Sequence, residues 1–125
     1  MKLFLDDERQ PKDVAIRLDN GIYMKEPWTV VKNFADFKNY LETNEIPELI
    51  SFDHDLTYDH YRYAVMNYIP YSEFKDKTGY HCLLWLILFC HEKKVNLPKI
   101  LIHTMNVEGK NNMMNLLDTY NSFIN

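Results

Sequence analysis

Three short stretches hold most of the side chains that could do chemistry: Asp6-Asp7-Glu8-Arg9, Asp53-His54-Asp55 and His103-Thr104-Met105-Asn106. Carboxylates crowded together raise one another's pKa and cannot all stay ionised without a counter-charge. Asp6, Asp7, Asp53 and Asp55 therefore suit a hard divalent cation with oxygen ligands, Mg²⁺ or Mn²⁺. Such a cation accepts phosphate oxygens, and Arg9 can clamp the same group with its guanidinium fork. His54 and His103 supply a general base for water and a general acid for a departing oxygen, or one of them a metal ligand. Thr104 and Asn106 offer a hydroxyl and an amide to phosphate or to the substrate beyond it. His60, His81 and His91 stand apart from the acidic residues and are read as non-catalytic.

This chemistry needs the three stretches in one place, and the elements before them provide that. Lys2–Leu5 is a short apolar run that stops at Asp6, and reads as a buried strand. Trp28–Val31 and Glu48–Phe52 read as further strands, and Lys99–Ile102, after Pro98, as the fourth. Asn33 is an N-cap, with Phe34, Phe37 and Leu41 on one face of the helix that follows. Thr78-Gly79 opens a strongly apolar helix running to about His91. A final amphipathic helix carries Met113, Leu116, Leu117, Tyr120, Phe123 and Ile124 on one stripe. Residues 10–27 read mostly as loop, with one helical turn at Val14–Leu18. Residues 56–77 are Tyr-rich without clear period, and a structureless stretch of that length inside a domain is usually functional. Tyr58, Tyr61, Tyr63, Tyr68 and Tyr71 there either stack on a base or, the favoured reading, pack the segment down.

Alternation of strands and helices predicts an α/β fold, a mainly parallel sheet of about four strands with helices on both faces. In such sheets ligands bind beyond the carboxyl ends of the strands. Three of the four strands end in the residues above, so the acidic and histidine stretches are expected on one rim. With 125 residues, 46% of them hydrophobic, the chain is expected to fold as one domain, 1–125. Its net charge of −4 argues against general duplex nucleic-acid binding. Cys82 and Cys90 fall on one helix, roughly 12 Å apart, too far for a disulfide. The start of the chain does not read as a signal peptide, and the longest apolar run, Cys82–Cys90, is too short for a span of about 20 residues. A cytoplasmic location is the expectation.

The order of these motifs resembles the cyclic-phosphate processing receiver-like family, a relative of response-regulator receiver domains. The matching stretches are Leu3-Phe-Leu-Asp-Asp-Glu-Arg-Gln-Pro11, Ser51-Phe-Asp-His-Asp-Leu56, Thr78-Gly-Tyr with Trp85-Leu86, and His103-Thr-Met-Asn106 with Gly109 and Asn112-Met113. Two departures are Val107, where the family usually has Pro, and the long Tyr-rich segment in place of a short connection. The resemblance implies a receiver-like (flavodoxin-like) sheet lacking the fifth strand. It also implies a metal-supported pocket acting on a cyclic phosphate, at an RNA 2′,3′-cyclic end or in a cyclic nucleotide. By position it places Asp6, Asp7, Asp53 and Asp55 around the metal and makes His54 and His103 acid and base, with Asp53 among them. Arg9, Thr104, Asn106 and Asn112 then serve the phosphate or its support.

Two rival readings belong to other classes. In a phosphoacceptor receiver, Asp53 takes a phosphoryl group and Thr104 is the switch hydroxyl. After Asn106 only one helix remains, however, leaving no fifth strand to bring a lysine to the acyl phosphate, and the two histidines have no task. A non-catalytic cyclic-nucleotide or partner-binding protein is the third class. The abundance of Asn, Lys, Ile and Tyr, as AT-rich genomes including many phages encode, is compatible with such a host-interaction role.

Overall fold

The computed structural model describes residues 1–61 and 68–124. Four strands, β1 (Lys2–Leu5), β2 (Thr29–Val31), β3 (Leu49–Phe52) and β4 (Lys99–Ile102), form one sheet in the order β2-β1-β3-β4. Every pairing is parallel, with Phe4 opposite Val30 and Ser51, and Phe52 opposite both Leu5 and Ile102. This is the strand order of a flavodoxin-like receiver sheet, and among the described residues there is no fifth strand.

Alternation along β1 divides the interior in two. Leu3 and Leu5 face the larger core with Ile50 and Phe52, covered by α2 (Phe34–Thr43), α4 (Gly79–Lys93) and α5 (Val107–Ile124). Phe4 faces the opposite side and packs with Val14 and Ala15 of α1 (Pro11–Leu18) and with Tyr23. Helices therefore lie on both faces, as the sequence predicts.

The helix starts are chemically explicit. Asn33 accepts the Asp36 amide at 2.8 Å to cap α2. At α4 the Thr78 amide donates to His81 Nδ1 at 2.9 Å, so His81 is a capping residue. Burial and nearby Lys77 push its pKa down to about 4, which keeps that nitrogen an acceptor near neutrality.

Three expectations need correction. Residues 11–18 form a full helix, not one turn, because Pro11 presets the first position and Asp13 and Gln10 satisfy each other's orphan donors. The Tyr-rich segment holds a helical turn, α3 (Tyr58–Tyr61), and a 3₁₀ turn at Tyr71–Glu73. His60 ties its two ends together: Nδ1 accepts the Leu56 amide and Nε2 donates to the Asp76 carbonyl, both at 2.8 Å. The apolar stripe of α5 meets the core through Met113, Leu116, Leu117 and Tyr120 only, while Phe123 and Ile124 are exposed. No helix among the described residues is long and apolar enough to cross a membrane.

Candidate functional site

The parallel ladder carries past the strands into the residues of interest. Asp6 N–H donates to the Val31 carbonyl at 3.0 Å, Asp53 N–H to Leu5 at 2.9 Å and His103 N–H to Phe52 at 2.9 Å. The sheet thus brings Asp6, Asp53 and His103 to one rim, with the backbone of each held in register. One ligand atom from each lies within 4.8 Å of the others, and all three residues are buried.

Asp6 is the organiser. Its Oδ1 accepts the Glu8 and Arg9 amides, both at 2.9 Å, closing the turn after β1. Its Oδ2 accepts Arg9 Nε at 3.1 Å and His103 Nε2 at 3.0 Å. Burial alone would raise its pKa; the His103 hydrogen bond, those amides and the Arg9 charge outweigh it, and Asp6 stays below the ordinary carboxylate range. Arg9 then reaches on to Asp53 Oδ1 at 3.4 Å.

Asp53 is less well served. Its Oδ1 also takes the His54 amide at 2.8 Å, but its buried Oδ2 has no hydrogen-bond partner among the described residues. Burial and the neighbouring Asp6 charge push its pKa up to about 7, against the pull of Arg9, the His54 amide and the Thr104 hydroxyl. Asp7 stands at the rim, its Oδ1 accepting the Tyr61 hydroxyl at 3.0 Å, and burial raises its pKa too. Arg9, with Arg17 farther off, thus faces three carboxylates, and the least compensated of them keeps an orphaned oxygen. That donor set fits a small hard cation.

Behind His103 runs a buried relay. Ser51 Oγ lies 2.7 Å from His103 Nδ1, and the Tyr23 hydroxyl 2.7 Å from Ser51 Oγ. Because ionised Asp6 can only accept, His103 Nε2 carries the proton, Nδ1 accepts from Ser51, and Ser51 accepts from Tyr23. Burial lowers the His103 pKa, opposed by Asp6, so the ring is neutral at pH 7. It is stacked on Phe4 with ring centroids 4.4 Å apart.

The remaining site residues form a second network. His54 Nδ1 is 2.8 Å from Asp55 Oδ1, and His54 Nε2 is 2.9 Å from the Tyr71 hydroxyl. Asn106 Nδ2 donates to Asp55 Oδ1 at 3.2 Å, and Asn112 Nδ2 to the Tyr71 hydroxyl at 3.0 Å. Asn106 Oδ1 in turn accepts the Gly109 amide at the start of α5. Asp55 is therefore spent on His54 and Asn106 and lies outside the Asp6–Asp53–His103 group. Two glycines give this arrangement room. A Cβ on Gly79 would stand 1.7 Å from the Asp53 carbonyl oxygen, and one on Gly109 2.5 Å from His54 Cγ.

The site residues expected from sequence thus fall into two clusters, one around Asp6, Arg9, Asp53, His103 and Thr104 with Asp7 at its edge, and one around His54, Asp55, Asn106 and Asn112. Tyr23 has no sequence signal for its place behind Ser51. Tyr61 and Tyr71 lie in the Tyr-rich segment and pack it down through their hydroxyls, on Asp7 and on His54. Tyr68 is exposed; Tyr63 and the side chain of Tyr58 lie outside the described residues.

The chain belongs to a family: the cyclic-phosphate processing receiver domain profile matches residues 1–119. No curated protein and no solved structure matches the chain significantly.

Proposed function

We propose that this member of the cyclic-phosphate processing receiver family hydrolyses a cyclic phosphate in a metal-dependent reaction at the Asp6–Asp53 rim. The observation that carries the reading is Asp53 Oδ2, a buried acceptor without a partner among the described residues, beside a second aspartate. Asp6 and Asp53, with Asp7 at the rim, would hold Mg²⁺ or Mn²⁺. When bound, such an ion neutralises the carboxylates and polarises a phosphate oxygen.

The chain's own residues supply the rest. Arg9, fixed by Asp6 and Asp53, offers its outer N–H groups to a phosphate oxygen, and Thr104 offers a hydroxyl beside Asp53. His103 is the proton carrier nearest the acidic pair, and Ser51 and Tyr23 behind it satisfy its inner nitrogen. His54 handles the second proton through the Tyr71 hydroxyl, with Asp55 and Asn106 orienting the ring and Asn112 supporting that hydroxyl. The residue 1–125 chain acts as a single domain in this reading.

The test is a product assay with 2′,3′-cyclic, 3′,5′-cyclic and cyclic-dinucleotide substrates, each with Mg²⁺, Mn²⁺ or chelator. Multiple turnovers on one ring class, lost in chelator and in Asp53→Asn, are expected. A folded protein with no turnover on any of them sinks the hydrolase reading. The pairing of Asp53 with Thr104 at adjacent strand ends favours one other outcome, phosphorylation of Asp53 by a small phosphodonor, which intact-mass measurement would register.

A further inference from the structure

Next to the His54 network, sharing Tyr71 and Asn112 with it, lies a groove of about 550 Å³ whose other lining residues have no part in this chemistry. One wall is a face of α5, where Glu108, Asn112, Asn115 and Thr119 recur at i, i+4, i+7 and i+11 and so point the same way. The other wall is aromatic and includes Tyr68, Tyr71 and Tyr80. Tyr71 and Tyr80 are stacked, with centroids 4.4 Å apart and planes within 18°, and Tyr68 at the edge is 73% exposed.

The polar stripe is not a by-product of core packing: α5 meets the core through Met113, Leu116, Leu117 and Tyr120, and of these only Leu116 also lines the groove. Asn112 spends its amide N–H on the Tyr71 hydroxyl. Glu108, Asn115 and Thr119 make no side-chain hydrogen bond or ion pair among the described residues, and Glu108 is only partly exposed. Flat aromatic faces opposite amides and a hydroxyl suit a planar ring with a hydrogen-bonding edge. Bases held in protein pockets are recognised in this way. A phosphate does not fit here, since the one ionised side chain of the lining is a carboxylate.

We propose that this groove is a nucleobase subsite with a preference for guanine, a reading that rests on the cyclic-phosphate function above and names the nucleoside it takes. A carboxylate accepts best from two N–H groups side by side. Guanine presents its ring N1–H and exocyclic amino group in that arrangement. Adenine, cytosine and uracil do not. Tyr71 joins the groove to the chemistry, one hydrogen bond from His54 and so one residue along the chain from Asp53.

The test compares guanosine with uridine, and then their 2′,3′-cyclic phosphates, by NMR titration of the full chain in Mg²⁺. Guanosine is expected to bind at least ~10-fold tighter than uridine, with or without the phosphate. Glu108→Gln and Asn115→Ala, both surface changes that should leave the melting curve unmoved, are each expected to weaken guanosine at least ~5-fold and uridine less than ~2-fold. Equal affinities for the two bases, or guanosine binding untouched in both variants, would overturn the assignment. Because the nucleosides carry no phosphate, base selection without turnover upholds the groove while rejecting the hydrolase. Turnover without base selection does the reverse.

Discussion

Ser51 Oγ sits 2.7 Å from His103 Nδ1 and supplies the donor for the ring nitrogen left bare when Nε2 donates to Asp6. The alternative tautomer would set an N–H against the Ser51 hydroxyl and a bare Nε2 against an ionised carboxylate. Replacing Ser51 by Ala leaves Nδ1 without a donor and the Tyr23 hydroxyl without its acceptor, both in a buried setting. The expected cost is about 1–3 kcal/mol, read by thermal melting. Imidazole ¹⁵N shifts should show His103 Nδ1 losing its hydrogen bond. A Ser51→Ala protein with wild-type melting and wild-type shifts would remove the relay from the site.

Glycine substitutions should sort by what a Cβ meets. At Gly79 the new carbon falls on the Asp53 carbonyl oxygen, where only backbone movement can relieve it. Gly79→Ala is therefore expected to lose about 3 kcal/mol or more. At Gly109 the obstacle is the His54 ring, so Gly109→Ala should cost less and act on activity by turning His54 away from Asp55. Gly21 has open space, and Gly21→Ala should be neutral or slightly stabilising. Melting temperatures in the order Gly21→Ala, Gly109→Ala, Gly79→Ala check the packing; any other order contradicts it.

Asp53 gives the metal-free protein a pH signature of definite sign. Its folded pKa, about 7, lies above the ordinary 3.8, so between those values the folded state holds a proton that the unfolded state has released. The stability this contributes is complete below about 3.8 and is lost as pH rises through about 7. Other buried groups titrate nearby, so the clean readout is the difference between wild type and Asp53→Asn. That difference should be small near pH 4. By pH 8 the variant should melt higher by about 5–10 °C, a few kcal/mol for a chain of this size. Mg²⁺ should shrink the gap by stabilising wild type alone. A gap that does not change with pH would mean that Asp53 is already compensated in the folded protein.

Sequence patterning carried the sheet well because β1, β3 and β4 are short apolar runs that stop abruptly at polar residues. Parallel pairing then determines where those stops meet, which is why Asp6, Asp53 and His103 were foreseeable as neighbours. What patterning does not encode is direction. Asp53 and Asp55 are two residues apart and were expected to serve one ion. With the ladder continued through Asp53, Asp55 instead meets Asn106 and His54 in a separate network. Tyr23 had no reading at all, and Tyr71 only one of packing or stacking, for a different reason. Each acts through one hydroxyl reached by tertiary packing, from segments with little period to read.

That second network makes a test of whether His54 takes part in the reaction or only supports it. His54 Nε2 meets the Tyr71 hydroxyl and His54 Nδ1 meets Asp55, so among the described residues Nε2 reaches onward through Tyr71. Burial pushes the Tyr71 phenol up to about 12, so it stays protonated across the working range and serves as a neutral donor or acceptor. Tyr71→Phe keeps the ring and its stacking on Tyr80 while deleting the hydroxyl, and should cost about 1 kcal/mol in stability. Should His54 move the second proton, the variant will lose about 10²-fold in kcat, with Mg²⁺ affinity unchanged because Asp6 and Asp53 are untouched. The pH profile of kcat should also lose one limb. Unchanged kcat in a variant with the same modest loss of stability would instead make His54 a buried prop for Asp55 and Asn106, leaving Asp53, His103 and Arg9 to carry the reaction.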